Sequence, residues 1–126
     1  MGNSKRIVLL VESDILIRSP LAEYLRECGY HVLEASGATE ARQHVQAAAS
    51  SIDVILADAA GDGGFALASW VREVQPGVAV VLAGSVDMAA EKAGNLCEQG
   101  PDIAKPYDHQ LVLNRIRRML ASRDRG

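Results

Sequence analysis

Cysteine is scarce in this chain. Cys28 and Cys97 are the only two, far apart and without metal-ligand partners at fixed spacing. That argues against a disulfide framework or a zinc site, and each is expected as a small buried hydrophobe near a helix end. No apolar run reaches the ~18 residues that span a bilayer. The polar stretch 1–6 is followed by no long apolar signal segment, so the expected setting is the cytoplasm, without a membrane partner. Neither sign of charge dominates: a net charge of −3 gives no broad pull towards nucleic acid or anionic lipid. Repeats, low-complexity tracts and internal linkers are missing too, and only the tail 122–126 reads as frayed.

What is present suits one soluble globular domain. The chain has 126 residues, enough for one core and too few for two ordinary domains. Hydrophobic residues make up 48% and charged residues 23%, the ordinary balance for such a domain.

Short apolar runs alternate with helical patterns five times. Residues 6–11 (RIVLLV) are continuous and β-branched, as in a strand buried on both faces. A helix is predicted from about Ile15, with Ile17, Leu21, Tyr24, Leu25 and Cys28 at helical spacing and Gly29 as its stop. Pro20 removes one internal hydrogen bond there, and a kink is expected in the early turns. Residues 30–35 form the second predicted strand. Ser36 is the expected cap of a helix to about Ala49, with Ala38, Ala41, Val45 and Ala48 on one face. Residues 52–57 form the third strand and end at Asp58. A small-residue loop leads to a helix over about 65–74, broken by Pro76-Gly77. Residues 78–83 form the fourth strand and 87–98 an Ala-rich helix. Residues 102–104 form a short fifth strand, and Asp108 caps a last helix carrying Leu111, Val112, Ile116 and Leu120.

Regular βα alternation implies a parallel sheet with helices on both faces. Right-handed crossovers then gather the strand C-terminal ends at one edge, where ligand sites of such sheets lie. The residues expected there are Glu12, Ser13 and Asp14, then Asp58, Ala83 and Lys105. Adjacent carboxylates repel and call for a shared cation, and hard oxygen ligands in an open site favour Mg²⁺. A carboxylate, Mg²⁺ and a lysine ammonium together suit phosphoryl transfer to the carboxylate. Taken singly, each residue has a plainer reading: Asp14 as a helix cap, Asp58 as part of a turn, Lys105 as a solvated cation before a rigid corner. Their convergence at one edge favours a site.

The segments IVLLVESDILIR, IDVILAD, GGFALASWVRE, VAVVLAGS and IAKPYD together resemble the receiver domains of bacterial two-component response regulators, over about residues 6–121. The resemblance implies a flavodoxin-like (βα)5 doubly wound parallel sheet of five strands in order 2-1-3-4-5. It places the phospho-acceptor at Asp58 and the phosphoryl-contacting lysine at Lys105, and makes a cis Lys105–Pro106 bond common. Glu12, Asp58 and the Ala60 carbonyl would hold Mg²⁺, with Ser13 or Asp14 as alternatives.

The departures from the family pattern cluster at the same edge. The second residue of the acidic pair is Ser13, a weaker ligand, so Mg²⁺ is expected to be held less tightly. The hydroxyl residue after the fourth strand is Ala83, and a charge-assisted hydrogen bond of roughly 1.5–3 kcal/mol is lost with it. Ser85 is a substitute only if the loop bends back. The switch aromatic is Asp102, and the loop after Asp58 looks about two residues short. The fold is kept and the phosphorylation machinery is thinned.

Three functions follow as expectations. The first is a stand-alone receiver, not an enzyme. It would be phosphorylated by a histidine kinase or phosphotransfer protein and would signal to a downstream protein as a monomer or weak homodimer. The second is a pseudo-receiver that binds a protein or ligand without phosphorylation. The third, ranked last because little chain remains for a lid, is a small metal-dependent phosphatase or phosphotransferase acting on a free substrate. The basic run Arg115, Arg117, Arg118, Arg123 and Arg125 reads as cations at a helix C-terminus rather than a nucleic-acid surface. Trp70 reads as packing, and His31, His44 and His109 do not cluster.

Overall fold

The computed structural model describes residues 6–48, 51–59, 63–100 and 105–125. The elements run β1 (Ile7–Val11), α1 (Ile15–Glu27), β2 (His31–Ala35), α2 (Ala38–Ala48), β3 (Ile52–Asp58), α3 (Gly64–Val74), β4 (Ala79–Ala83), α4 (Val86–Glu98) and α5 (His109–Arg125). The strands pair in parallel in the order β2-β1-β3-β4. This is the expected α/β arrangement with four strands among the described residues. The predicted fifth strand, 102–104, lies outside them.

Alternation along β1 explains the two layers. Val8 and Leu10 point to one face, Leu9 and Val11 to the other, and all four are buried. Val54 and Leu56 join the first face, and Ile55 and Ala57 the second. Leu21 and Leu25 of α1, Ala90 and Ala93 of α4, and Val112 and Ile116 of α5 cover the first face. Ala41 and Val45 of α2 with Leu67 and Val71 of α3 cover the second. Trp70 packs against this second cluster with the Arg42 guanidinium 5.7 Å from its ring centroid, which is the packing role expected of it.

Local signals set most helix ends. Asp14 caps α1, its carboxylate accepting from the Leu16 N–H at 3.0 Å. Pro20 lies inside α1, on its buried side. Asp108 starts α5, accepting from the Gln110 N–H at 2.8 Å. Ser36 was the expected cap of α2, but the Gly37 carbonyl accepts the first helical bond, from Ala41. Ser36 stands one residue earlier, where its N–H donates to Glu40 Oε1 at 2.6 Å. The frayed tail was misjudged as well, since α5 continues to Arg125.

One further expectation is corrected. Cys28 and Cys97, read as separate thiols, form a disulfide with their Cα atoms 5.3 Å apart. Cys28 ends α1 and Cys97 lies in the last turn of α4. Both helices run away from the strand C-terminal ends on the same face, so their ends arrive side by side, within bonding range. Helix α5 runs antiparallel to α1 and α4. Its start meets the far ends of both: Tyr107 lies 5.2 Å, ring centroid to ring centroid, from Tyr24, and His109 sits against Gly94. Its middle pairs Arg115 with Glu23 and Arg117 with Asp87, and its end pairs Arg123 with Asp14. The helix therefore climbs back towards the strand C-terminal ends.

Candidate functional site: an acidic edge around Asp58

Each side chain at the edge is placed by the strand that carries it. Glu12 follows β1, still in the sheet, its N–H donating to the Ala35 carbonyl at 3.0 Å. It is 9% exposed, the sole charged residue in the buried class among those described. The Asp14 N–H donates to Glu12 Oε2 at 2.8 Å, and Arg18 donates to the Glu12 carbonyl at 2.8 Å. Burial raises the Glu12 pKa above the usual carboxylate value, and repulsion from Asp58 and Asp14 adds to the rise. The Asp14 N–H bond and the Arg18 charge oppose it. Glu12 and Asp58 thus feel each other's charge.

Asp58 is the last residue of β3, in register with Ala83 of β4. The next residue, Ala59, donates its N–H to the Ala83 carbonyl at 2.8 Å, which clasps the two strand ends. Gly64 opens α3 directly against this turn: a Cβ there would come within 2.6 Å of the Asp58 carbonyl oxygen. Gly63 precedes it with φ +93°, a left-handed conformation that glycine adopts without penalty.

Two cavities flank Asp58. One, of about 90 Å³, is lined by Glu12, Ser13, Ser36, Gly37, Asp58 and Gly63 among others. The other, of about 160 Å³, is apolar; Ile17, Leu21, Ala83, Val86 and Ala89 help to wall it. Ala83 itself is buried. Ser85 lines the second cavity, but its hydroxyl caps α4, accepting from the Met88 N–H at 3.2 Å. The oxygen is thereby engaged at a helix end.

Of the residues expected at the edge, the structure brings together Glu12, Ser13, Asp58 and Ala83. Asp14 is adjacent as a cap, its carboxylate shared with Arg123 at 2.9 Å. Ala60 and Asp102 lie outside the described residues. Lys105, expected beside Asp58, is exposed and stands two residues before Tyr107, which packs on Tyr24. No peptide bond among the described residues is cis, Lys105–Pro106 included.

Sequence reasoning missed Arg123, which it took for part of a frayed tail. The basic character of the last turn was visible, but its carboxylate partner 109 residues away was not. Arg18 was missed too. It fixes Glu12 from the first turn of α1 and pairs with Glu34 at 3.1 Å.

The donor set suits a hydrated hard cation. Glu12, Asp58 and the exposed Ser13 hydroxyl border one small cavity. Among the described residues no group of three or more His, Cys, Asp or Glu gathers to form an all-protein cage. Mg²⁺ commonly keeps several waters and takes one or two carboxylates, which matches this pair.

Comparison with known proteins places the fold. No family model matches the chain. An uncharacterized transcriptional regulatory protein, YbdJ of Bacillus subtilis, is 26% identical over 117 residues, 90% of this chain and 50% of the relative. The chain therefore spans about half the length of that curated relative. A response regulator receiver domain protein from Clostridium thermocellum superposes with TM-score 0.60 at 22% identity, covering 94% of this chain and 97% of the other. The receiver domain of NtrC4 from Aquifex aeolicus gives TM-score 0.52 at 28% identity, covering 92% and 97%. No helix among the described residues is long and apolar enough to cross a membrane. With its β2-β1-β3-β4 sheet, its two helical layers and an acidic edge at the strand ends, the chain has the receiver fold of the response regulators.

Proposed function

We propose that this chain is a receiver module that accepts a phosphoryl group on Asp58 and passes the signal on by protein contact. The observation that carries the reading is the meeting of Asp58, at the end of β3, with the buried Glu12 in one small cavity. In the transfer, an Asp58 carboxylate oxygen attacks phosphorus. The bond from phosphorus to the donor's histidine nitrogen breaks, and the nitrogen keeps the electron pair. Mg²⁺ held by Glu12 and Asp58, with the Ala60 carbonyl and Ser13 as further ligands, would neutralise charge on the phosphoryl oxygens. Burial disfavours an uncompensated charge on Glu12, which a cation in the shared cavity would balance. The Asp14 N–H orients the Glu12 carboxylate, and Arg18 holds the Glu12 backbone carbonyl. The donor would be a histidine kinase or phosphotransfer protein, in the cytoplasm, and the module itself turns over no free substrate.

Two cations compete for the phosphoryl contact. The resemblance assigns it to Lys105, and the fold delivers Arg123 to the acidic edge. Intact mass after incubation with Mg²⁺ and acetyl phosphate decides the main point. The parent should gain one phosphoryl group and Asp58→Ala none; no adduct on the parent would sink the reading. Lys105→Ala and Arg123→Ala, run beside them, show which cation the transfer uses.

A pseudo-receiver that binds a protein or ligand without phosphorylation is the second reading. It is favoured by the buried methyl of Ala83 in register with Asp58 and by the engagement of Ser85 as a cap. An unmodified parent that still binds a partner, with Asp58→Ala binding equally well, would establish it.

A further inference from the structure

The Cys28–Cys97 bond joins two helices for a reason the fold itself does not require. Both faces of the sheet carry a continuous apolar core. A domain of this size does not depend on a covalent staple as much smaller ones do. The bond ties the C-terminal ends of α1 and α4. The N-terminal turns of the same two helices wall the apolar cavity beside Asp58, through Ile17 and Leu21 on one side and Val86 and Ala89 on the other. Among the described residues no hydrogen bond or ion pair links α1 directly to α4, so apolar packing and this bond set their spacing. Much of the inner side of α4 is small, with Ala89, Ala90, Ala93 and Gly94 between the larger Val86 and Leu96. A helix held by small side chains shifts at low cost once its covalent tie is cut.

We propose that Cys28–Cys97 is a reversible redox latch that sets the spacing of α1 and α4 and thereby the access to Asp58. A dithiol is the reductant. One of its thiolates attacks one cysteine sulfur, forming a mixed disulfide there and releasing the partner cysteine as a thiolate; its second thiolate then attacks the reductant's own sulfur in that mixed disulfide and releases the first cysteine. Two electrons and two hydrogens pass to Cys28 and Cys97, and the dithiol leaves as a cyclic disulfide. A small disulfide such as oxidised glutathione reverses the step. Both cysteines are buried, so exchange requires the α4 end to open first. The gating part of this inference rests on phosphoryl acceptance at Asp58; the latch part does not.

The test uses the full chain, treated with oxidised glutathione or with dithiothreitol. Intact mass should show two hydrogens gained on reduction and lost again on oxidation. Loading from acetyl phosphate with Mg²⁺ should then differ about threefold or more between the two forms, a barrier change of about 0.6 kcal/mol. Cys28→Ser and Cys97→Ser should load at the reduced rate whatever the reagent. Equal rates for the oxidised and reduced parent, or no bond formed under oxidised glutathione, overturn the proposal. If neither form takes up phosphoryl, the Asp58 reading fails, and the latch is judged by hydrogen exchange. Faster exchange across α4 in the reduced form supports it, and equal exchange refutes it.

Discussion

Replacing Gly94 by alanine tests the reversed direction of α5. In an ordinary helix interior Gly→Ala stabilises by about 1 kcal/mol, through lower unfolded-state entropy and better propensity. Here the added methyl would meet the His109 ring, with Cγ at 2.7 Å and Cβ at 3.0 Å. The Cβ and the ring base cannot swing aside as a flexible tip would, so α4 and α5 must part or His109 must leave its rotamer. Overpacking of this kind costs about 1–3 kcal/mol. The net expectation is a loss of up to about 2 kcal/mol, despite the gain in propensity. Adding His109→Ala removes the ring and leaves the Cβ contact at 3.0 Å, so the double variant should recover part of the loss; a coupling of about 1–3 kcal/mol between the two sites is expected. Urea melts of the four proteins, under conditions that keep the disulfide intact, supply the cycle. Should Gly94→Ala alone stabilise by about 1 kcal/mol, with no coupling to position 109, His109 is not seated there and α5 does not run as described.

The other predictions concern the acidic edge and its frame. The raised pKa of Glu12 means that the fold favours its protonated form, so its contribution to stability is complete below the usual carboxylate value of 4.5 and is lost as pH rises through the higher folded value. Glu12→Gln should therefore melt higher than the parent at pH 7 and no higher at pH 4; a gain of equal size at both pH values would disprove the titration. Millimolar Mg²⁺ should raise the parent's melting temperature by relieving the Glu12–Asp58 repulsion and leave Glu12→Gln nearly unmoved, as differential scanning fluorimetry would show. Ser85→Ala removes the α4 cap and should cost about 1 kcal/mol in a urea melt. Gly64→Ala, whose methyl would press on the Asp58 carbonyl, should destabilise by about 1–3 kcal/mol; a neutral result would mean that α3 starts farther from β3.

Strand positions were legible because their chemistry is local. Residues 7–11 and 52–58 are buried on both sides, and the pattern of unbroken apolar residues ending in a carboxylate survives any tertiary arrangement. The meeting of Glu12 with Asp58 followed from the same logic, since parallel strands must end at one edge. The orientation of α5 was not legible. Apolar residues at Val112, Ile116 and Leu120 mark a buried face, and that face reads the same whichever way the helix points along its neighbours. The disulfide was hidden for a related reason: a separation of 69 residues carries no periodic signal, and only the packing of α4 beside α1 brings the sulfurs together. At α2 the failure was finer, a cap misread by one residue, because Ser36 and Gly37 are both good cap residues and Glu40 satisfies the one that was not used.

The division of the core into two layers also divides the chromophores. All three tyrosines, Tyr24, Tyr30 and Tyr107, belong to the layer of α1, α4 and α5, and the single tryptophan, Trp70, belongs to the layer of α2 and α3. Each side of the sheet thus carries its own spectroscopic label in the unaltered chain. Tryptophan emission follows one layer and tyrosine absorbance the other, so a melt recorded at both wavelengths shows whether the sheet makes the two layers fail together or lets one go first.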